Sequence, residues 1–265
     1  MEKQIYNNNL KINYRIEGVG NSVVLIHGFL ETSETWSDFS KELSANYKVI
    51  SIDLPGHGKS ELYDEPFTMC KYAESIYAVL NSENISKTII IGHSMGGYVA
   101  LAFAENYPFM QAGLCLFHSS PFADNEEKKK IRLETIEQIK TGNSNIICNN
   151  HVKAVYGDDN IDNFKTEIKK GELIAKSISE EGIIASILSM MTRKDRNFVL
   201  KECEEPVLYI LGRKDRFIHE SIINQLDMPK TGNFKILEKS GHMGMIEEKE
   251  KSLKFIRKLC IEVYG

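Results

Sequence analysis

The chain has 265 residues, 42% of them hydrophobic, which is enough to bury a large core as one domain with an insertion. A net charge of −4 and a pI near 6.0 leave no basic surface for a nucleic acid. The sequence contains no apolar run long enough to span a bilayer and no N-terminal apolar segment typical of a secretion signal. We therefore expect a cytoplasmic protein that acts on a small molecule, without a membrane.

The predicted secondary structure alternates strands and helices after an opening hairpin at residues 3–6 and 10–17. The later apolar runs are continuous, which is typical of parallel strands covered on both faces. Helical stretches between them imply right-handed βαβ crossovers. These patterns predict an α/β fold with a mostly parallel twisted sheet and helices on both faces. The predicted strands are 23–27, 49–53, 88–91, 113–117, 207–211 and 234–237, and the clearest helices are 69–80, 94–107 and 247–261.

The most informative motif is Gly92-His93-Ser94-Met95-Gly96, a G-x-S-x-G sequence between a predicted strand and a predicted helix. This context is typical of a nucleophile elbow, a sharp turn that lifts a serine hydroxyl clear of the sheet. Glycines at both flanks let the strand and helix backbones approach closely. The alternative, a serine that only caps the helix, would not explain both glycines. Ser94 is therefore the predicted nucleophile.

A serine nucleophile needs a general base, and in this architecture an acid and then a histidine follow the serine along the chain. Asp215 and His242 lie just after the last two predicted strands, whose carboxyl ends meet at the edge where Ser94 lies. We predict that His242 is the base and that Asp215 fixes its tautomer. Two alternatives compete with this assignment. His219 reads as the start of a helix, and Asp227 lies in a predicted turn.

Attack on an ester carbonyl creates an oxyanion, which requires donors that are already in position. The backbone N–H of Met95, the residue after the nucleophile, is the first predicted donor of this oxyanion hole. The second is the N–H of Phe29, in the loop after the strand at 23–27. Gly28 lets this loop turn, and we expect His27 to anchor it by hydrogen bonds.

These motifs together resemble the α/β-hydrolase superfamily, and the resemblance covers nearly the whole chain in the family's order. Within it the chain resembles the small capped bacterial hydrolases, which include carboxylesterases, enol-lactonases, thioesterases and carbon–carbon hydrolases. It also resembles the menaquinone-pathway lyase, although Tyr98 stands where that enzyme usually has an arginine. The motifs that carry the resemblance are His27-Gly28-Phe29, the block at 53–60, Gly92 to Gly97, Gly212 to Asp215 and Gly241-His242.

The resemblance implies a helical cap where the alternation of strands and helices breaks, from about residue 122 to 201. We expect core residues 1–120, a cap insertion at 121–202 and core residues 203–265. Helices are predicted in the cap at 126–140, 164–178 and 180–191. Such a cap would roof the nucleophile with apolar side chains.

The predicted substrate-binding residues are Trp36, His118 and Leu188, although a structural hydrogen bond is an equal alternative for His118. Arg193 is a candidate to bind a substrate carboxylate. Five scattered cysteines without a CxxC or Cys/His spacing predict free thiols and no metal site, and a triad needs no cofactor.

The predicted function is a serine hydrolase that cleaves a small to medium, mostly apolar ester, lactone or thioester through an acyl-enzyme on Ser94. The alternative is a carbon–carbon hydrolase or a lyase like that of the menaquinone pathway, in which the triad acts as a base. A binding protein that retains the fold is a third hypothesis. A monomer or a homodimer is expected.

Overall fold

The computed structural model describes residues 1–62 and 67–265, and eight strands of these residues form one sheet. The strand order is β1-β2-β4-β3-β5-β6-β7-β8. The first two strands pair antiparallel, β2 is antiparallel to β4, and every later pairing is parallel. The predicted α/β fold is confirmed. The strands are β1 Glu2–Asn7, β2 Leu10–Glu17, β3 Ser22–Ile26, β4 Lys48–Ile52, β5 Thr88–His93, β6 Gln111–Phe117, β7 Val207–Gly212 and β8 Gly232–Leu237.

Helices cover both sides of this sheet. Strands β3, β5 and β7 are buried along their whole length, as expected for continuous apolar runs between two helical layers. The helices are α1 Ser37–Leu43, α2 Met69–Ser82, α3 Met95–Asn106, α4 Glu126–Gln138, α5 Ser144–Ala154, α6 Lys165–Ser177, α7 Glu180–Met191, α8 Asn197–Glu202, α9 Gly244–Glu247 and α10 Lys249–Tyr264.

Helices α4 to α8 lie between β6 and β7 in the chain, inside the range predicted for the cap. The sequence patterns located α4, α6 and α7 but missed α5 and α8. The first predicted helix ends early because Gly142 adopts a φ of 86°, which breaks the α-helical path before α5 begins. The division of the chain into core and cap domains remains a prediction.

The insertion packs directly on the loop that follows β4. A Cβ added to Gly182 in α7 would lie 2.4 Å from the carbonyl oxygen of Gly56, so the two backbones nearly touch. Beside this contact, Ser186 Oγ lies 3.3 Å from His57 Nε2. No helix of the described residues is long and apolar enough to cross a membrane.

Candidate active site

Ser94 occupies a strained turn between β5 and α3. Its φ of 51° and ψ of −116° lie in a region that L-residues rarely adopt. A Cβ on Gly92 would lie 2.3 Å from the carbonyl oxygen of Gly96, and one on Gly96 would lie 2.4 Å from that of Ile26. Both glycines are therefore required by close backbone approach. The Ser94 side chain does not cap α3, so the alternative role considered for it is not observed.

Asp215 and His242 meet at the carboxyl edge of the sheet, in the loops after β7 and β8. Nδ1 of His242 donates to Oδ2 of Asp215 over 2.7 Å, which leaves Nε2 of the ring as its basic nitrogen. The backbone N–H groups of Phe217 and Ile218 donate to Oδ1 of the same carboxylate. Burial opposes ionisation of Asp215, but the His242 ring and the hydrogen bonds from His242 and His118 hold its pKa well below the usual range.

The two competing residues lie elsewhere. His219 caps the 3₁₀ turn at Glu220–Gln225 with its side chain, and Asp227 pairs with the side-chain amide of Asn197. Both contacts are typical of surface loops, and neither brings the residue to Ser94.

His118 has a different position from the one predicted for a residue of the substrate pocket. Its ring is fully buried, and Nδ1 donates to Oδ2 of Asp215 over 3.0 Å. Burial lowers the pKa of His118 to about 4 against the opposing effect of Asp215, so the ring is neutral at pH 7. His118 therefore has the structural hydrogen bond that was the alternative to substrate binding. Asp215 accepts hydrogen bonds from two histidines.

The two predicted oxyanion donors lie in adjoining segments. Gly96, next to Met95, packs against the carbonyl oxygens of Ile26 and His27 at the end of β3. His27 Nε2 accepts from the N–H of Leu54 over 3.0 Å and so anchors this loop. Among the residues that the structure describes, the N–H groups of Phe29 and Met95 have no acceptor. The protein therefore uses neither of these N–H groups, as expected of oxyanion donors.

A buried ion pair that the sequence analysis missed joins these loops. Nδ1 of His93 lies 3.1 Å from Oε2 of Glu31, and its Nε2 lies 2.8 Å from the carbonyl oxygen of His242. Both partners are acceptors, so His93 satisfies them only as an imidazolium. The same Glu31 oxygen accepts from the N–H of Gly28 over 2.8 Å. Position 93 is unspecified in the elbow motif, so no sequence signal marked the pair.

The pKa shifts of this pair agree with its geometry. Burial disfavours the charge on Glu31, but the charge and hydrogen bond of His93 lower its pKa to about 2. Burial likewise opposes the charge on His93, and the Glu31 carboxylate outweighs it and raises the pKa. Both shifts favour the charged forms, in agreement with the two acceptors that His93 contacts.

A cavity of about 210 Å³ opens between helices α5 and α6 of the insertion, the segment after β3 and the residues that follow His242. Phe29, a predicted oxyanion donor, and Met243, which follows the predicted base His242, both line it. Its other walls are mainly apolar and include a histidine that the sequence analysis did not select, His151. The apolar lining residues are Phe29, Leu30, Phe39, Val152, Val155, Tyr156, Phe164, Ile174, Met243, Met245 and Ile246.

Three other residues considered for substrate binding lie away from this cavity. Trp36 was predicted to line the pocket, and this prediction is wrong. The side chain is 0% exposed and packs edge-on against Phe39 and Phe117 in the core. Leu188 is 40% exposed on α7 and does not line the cavity. Arg193 pairs with the buried Asp124 carboxylate over 2.8 Å, which occupies the guanidinium.

One group of the described residues has the donor atoms for a metal ion: His118, Asp215 and His242, whose ligand atoms lie within 4.8 Å of one another. The two histidines already donate hydrogen bonds to Asp215 through the Nδ1 atoms, and the contact with His242 is the one predicted for an acid that fixes the tautomer of a general base.

A doubly covered parallel sheet with a strained serine at its carboxyl edge is the architecture of α/β hydrolases. A family model described as the alpha/beta hydrolase fold matches residues 21–249. The chain therefore belongs to this family, and it is an enzyme, a hydrolase.

Similar proteins include hydrolases and esterases. A 2-hydroxy-6-oxononadienedioate/2-hydroxy-6-oxononatrienedioate hydrolase of Burkholderia vietnamiensis is 27% identical over 94% of this chain and 92% of its own length. The pimeloyl-(acyl-carrier protein) methyl ester esterase of Aliivibrio fischeri is 26% identical over 92% of this chain and 95% of its own. The solved structure of a thermophilic esterase from Thermogutta terrifontis has a TM-score of 0.92 and 26% identity, with all of both chains covered.

Proposed function

We propose that this hydrolase cleaves a small to medium, mostly apolar carboxylic ester, lactone or thioester through an acyl-enzyme on Ser94. The observation that carries the proposal is the pairing of a strained Ser94 turn with a buried His242–Asp215 hydrogen bond of 2.7 Å. The esterase names of two similar proteins support the same reaction class. The apolar cavity beside the triad suits an uncharged acyl or alkyl chain.

The reaction proceeds in two halves. In the first, Ser94 Oγ attacks the carbonyl carbon while His242 Nε2 takes its proton, and the N–H groups of Phe29 and Met95 stabilise the oxyanion. Asp215 stabilises the imidazolium, which then protonates the departing alcohol. In the second, water attacks the acyl-enzyme with His242 again as the base, and the acid and the free serine are released.

A second candidate is a carbon–carbon hydrolase or a lyase in which the triad acts mainly as a base. The name of the Burkholderia relative favours a hydrolase of an oxo-acid. Two contacts argue against this second candidate. Arg193 forms an ion pair with Asp124, and its Cζ lies 4.0 Å from the centre of the Tyr98 ring. Neither position is free to bind a substrate carboxylate.

The test is hydrolysis of p-nitrophenyl esters from acetate to long acyl chains by the wild type and by Ser94→Ala. We expect activity that peaks at one chain length, vanishes in the variant and leaves an acyl adduct on the peptide that contains Ser94. Activity retained by Ser94→Ala would refute the acyl-enzyme. Turnover of enol or diketone substrates with no turnover of esters would favour the second candidate.

A further inference from the structure

His151 stands at the junction of the cavity and the triad, although it belongs to helix α5 of the insertion. Its ring lies edge-on to Phe29, with 5.3 Å between the ring centres. On its other side it lies 5.4 Å from the ring of Phe217, which in turn lies 5.1 Å from that of His242. The imidazole is thus placed between the predicted oxyanion loop and the catalytic histidine.

The polar atoms of this ring are not used by the protein. Across residues 1–62 and 67–265, the ring contacts of His151 are with these two phenylalanines, and neither ring nitrogen has a hydrogen-bond partner. The side chain is partly buried and lines the cavity. A half-buried imidazole with no partner at the wall of a cavity is an unfilled hydrogen-bonding group.

The ring offers an uncharged donor and an uncharged acceptor. Burial, and then the nearby charge of His242, lower the pKa of His151 to about 4, so at pH 7 one nitrogen carries a proton and the other does not. Arg132 acts in the same direction and Glu31 in the opposite one. A hydroxyl or carbonyl oxygen can pair with such a ring without a change of charge.

The charges around the cavity disfavour an anionic ligand. Its described lining has four acidic residues and two lysines, besides the neutral His151. Glu31 keeps its charge because its pKa is about 2, and it lies at the same wall as Phe29. Glu31 is paired with His93, and Lys170 is paired with Glu34 over 3.1 Å. Of the lysines in the described lining, Lys249 alone has no carboxylate partner, so an anion here would meet Asp38 and Glu167 with one free cation in a partly buried site. The charged lining residues are Glu31, Glu34, Asp38, Glu167, Lys170 and Lys249.

We infer that the cavity is a binding subsite for an uncharged, oxygen-bearing part of the substrate, and that His151 is its hydrogen-bonding residue and selects for a hydroxyl or carbonyl group. The inference rests on the proposed ester hydrolysis, and it adds a substrate class to it: neutral oxo- or hydroxy-substituted esters. Apolar walls hold the carbon chain, and His151 pairs with the oxygen that the walls would otherwise leave without a partner.

The test compares matched substrates in two pairs. One pair carries the oxygen in the acyl part, p-nitrophenyl 4-oxopentanoate against the pentanoate, and the other carries it in the alcohol part, a 4-hydroxybutyl against a butyl ester. His151→Phe keeps a flat ring between the two phenylalanines and removes the hydrogen bond, whereas His151→Gln keeps a donor and an acceptor. Leu173→Ala, on the outer face of α6 with its leucine 64% exposed, is the control.

For at least one pair we expect His151→Phe to lower the preference for the oxygen-bearing ester about tenfold, mostly through KM, with partial recovery in His151→Gln. An unchanged preference in both pairs would refute the inference, and so would an equal loss for both members of each pair, which indicates a structural role. These outcomes leave the proposed function standing. A wild type that hydrolyses no ester refutes the proposed function, and the inference falls with it.

Discussion

Replacement of Ser94 by glycine tests whether the elbow is strained. The conformation at φ 51° and ψ −116° costs a residue with a Cβ about 1–3 kcal/mol. Glycine adopts it freely, but it loses about 0.5–1 kcal/mol more backbone entropy on folding. Ser94→Gly is therefore expected to raise the free energy of unfolding by about 1 kcal/mol. Ser94→Ala keeps the Cβ and is the matched control, with a stability close to that of the wild type.

The shift in melting temperature follows from the size of the chain. The entropy of unfolding of 265 residues is about 0.6 kcal/mol/K, so 1 kcal/mol corresponds to a change in Tm of about 2 °C. Scanning calorimetry on the three proteins at one scan rate resolves this difference. Both variants are expected to lose activity, so the difference in Tm between them reports stability alone. An alanine variant as stable as the glycine variant, or more stable, would refute the claim that strain is stored at Ser94.

Three further predictions concern the surroundings of the elbow. Asp215→Asn is expected to lower kcat about 10³–10⁴-fold with little change in KM, because an amide no longer selects the His242 tautomer; steady-state kinetics at pH 7 checks this, and a loss below tenfold contradicts it. Gly28→Ala would place a Cβ 2.9 Å from Nδ1 of His93. It is expected to lower kcat/KM about 100-fold by moving the oxyanion loop, whereas wild-type kinetics would show that the loop adapts. Burial, and then the charge of His27, lower the pKa of His57 to about 3. Its contribution to the free energy of unfolding is full above pH 6.5 and falls by about 2 kcal/mol at pH 5, because there the unfolded chain takes up the proton and the folded chain does not. Urea unfolding of the wild type and His57→Gln at pH 7 and pH 5 measures this, and the loss between the two pH values should be smaller in the variant.

The parts of the site that the sequence located are those fixed by strand ends. Ser94 follows β5 directly, and Asp215 and His242 lie three and five residues after the ends of β7 and β8. Parallel strands bring their carboxyl ends to one edge, so chain order predicts that the three residues lie near one another. The structure has the acid and the histidine in contact at 2.7 Å. A residue only a few positions from a strand end can occupy only a small region of space near that end.

Side chains further from the strand ends could not be placed in the same way. Trp36 and His118 both lie near the catalytic edge, and whether each faces a pocket or the core depends on neighbours that come from distant segments. His118 turns inward because Asp215 accepts its Nδ1 proton, a contact across 97 positions of the chain. Helix α5 was missed for a related reason. It contains several asparagines and β-branched residues, which have low helix propensity, so packing against α6 must stabilise it.

The backbone of His242 is held from both sides by parts of the chain that are far apart in sequence. Its N–H donates over 2.7 Å to the carbonyl oxygen of Val155, which follows α5 in the insertion. Its own carbonyl oxygen accepts over 2.8 Å from His93, which Glu31 keeps charged. Val155 and Glu31 also line the cavity, so a ligand there would lie beside the residues that fix the histidine. If His242 is the base, as proposed, it is oriented before the substrate arrives, and binding energy from the cavity does not have to create that orientation.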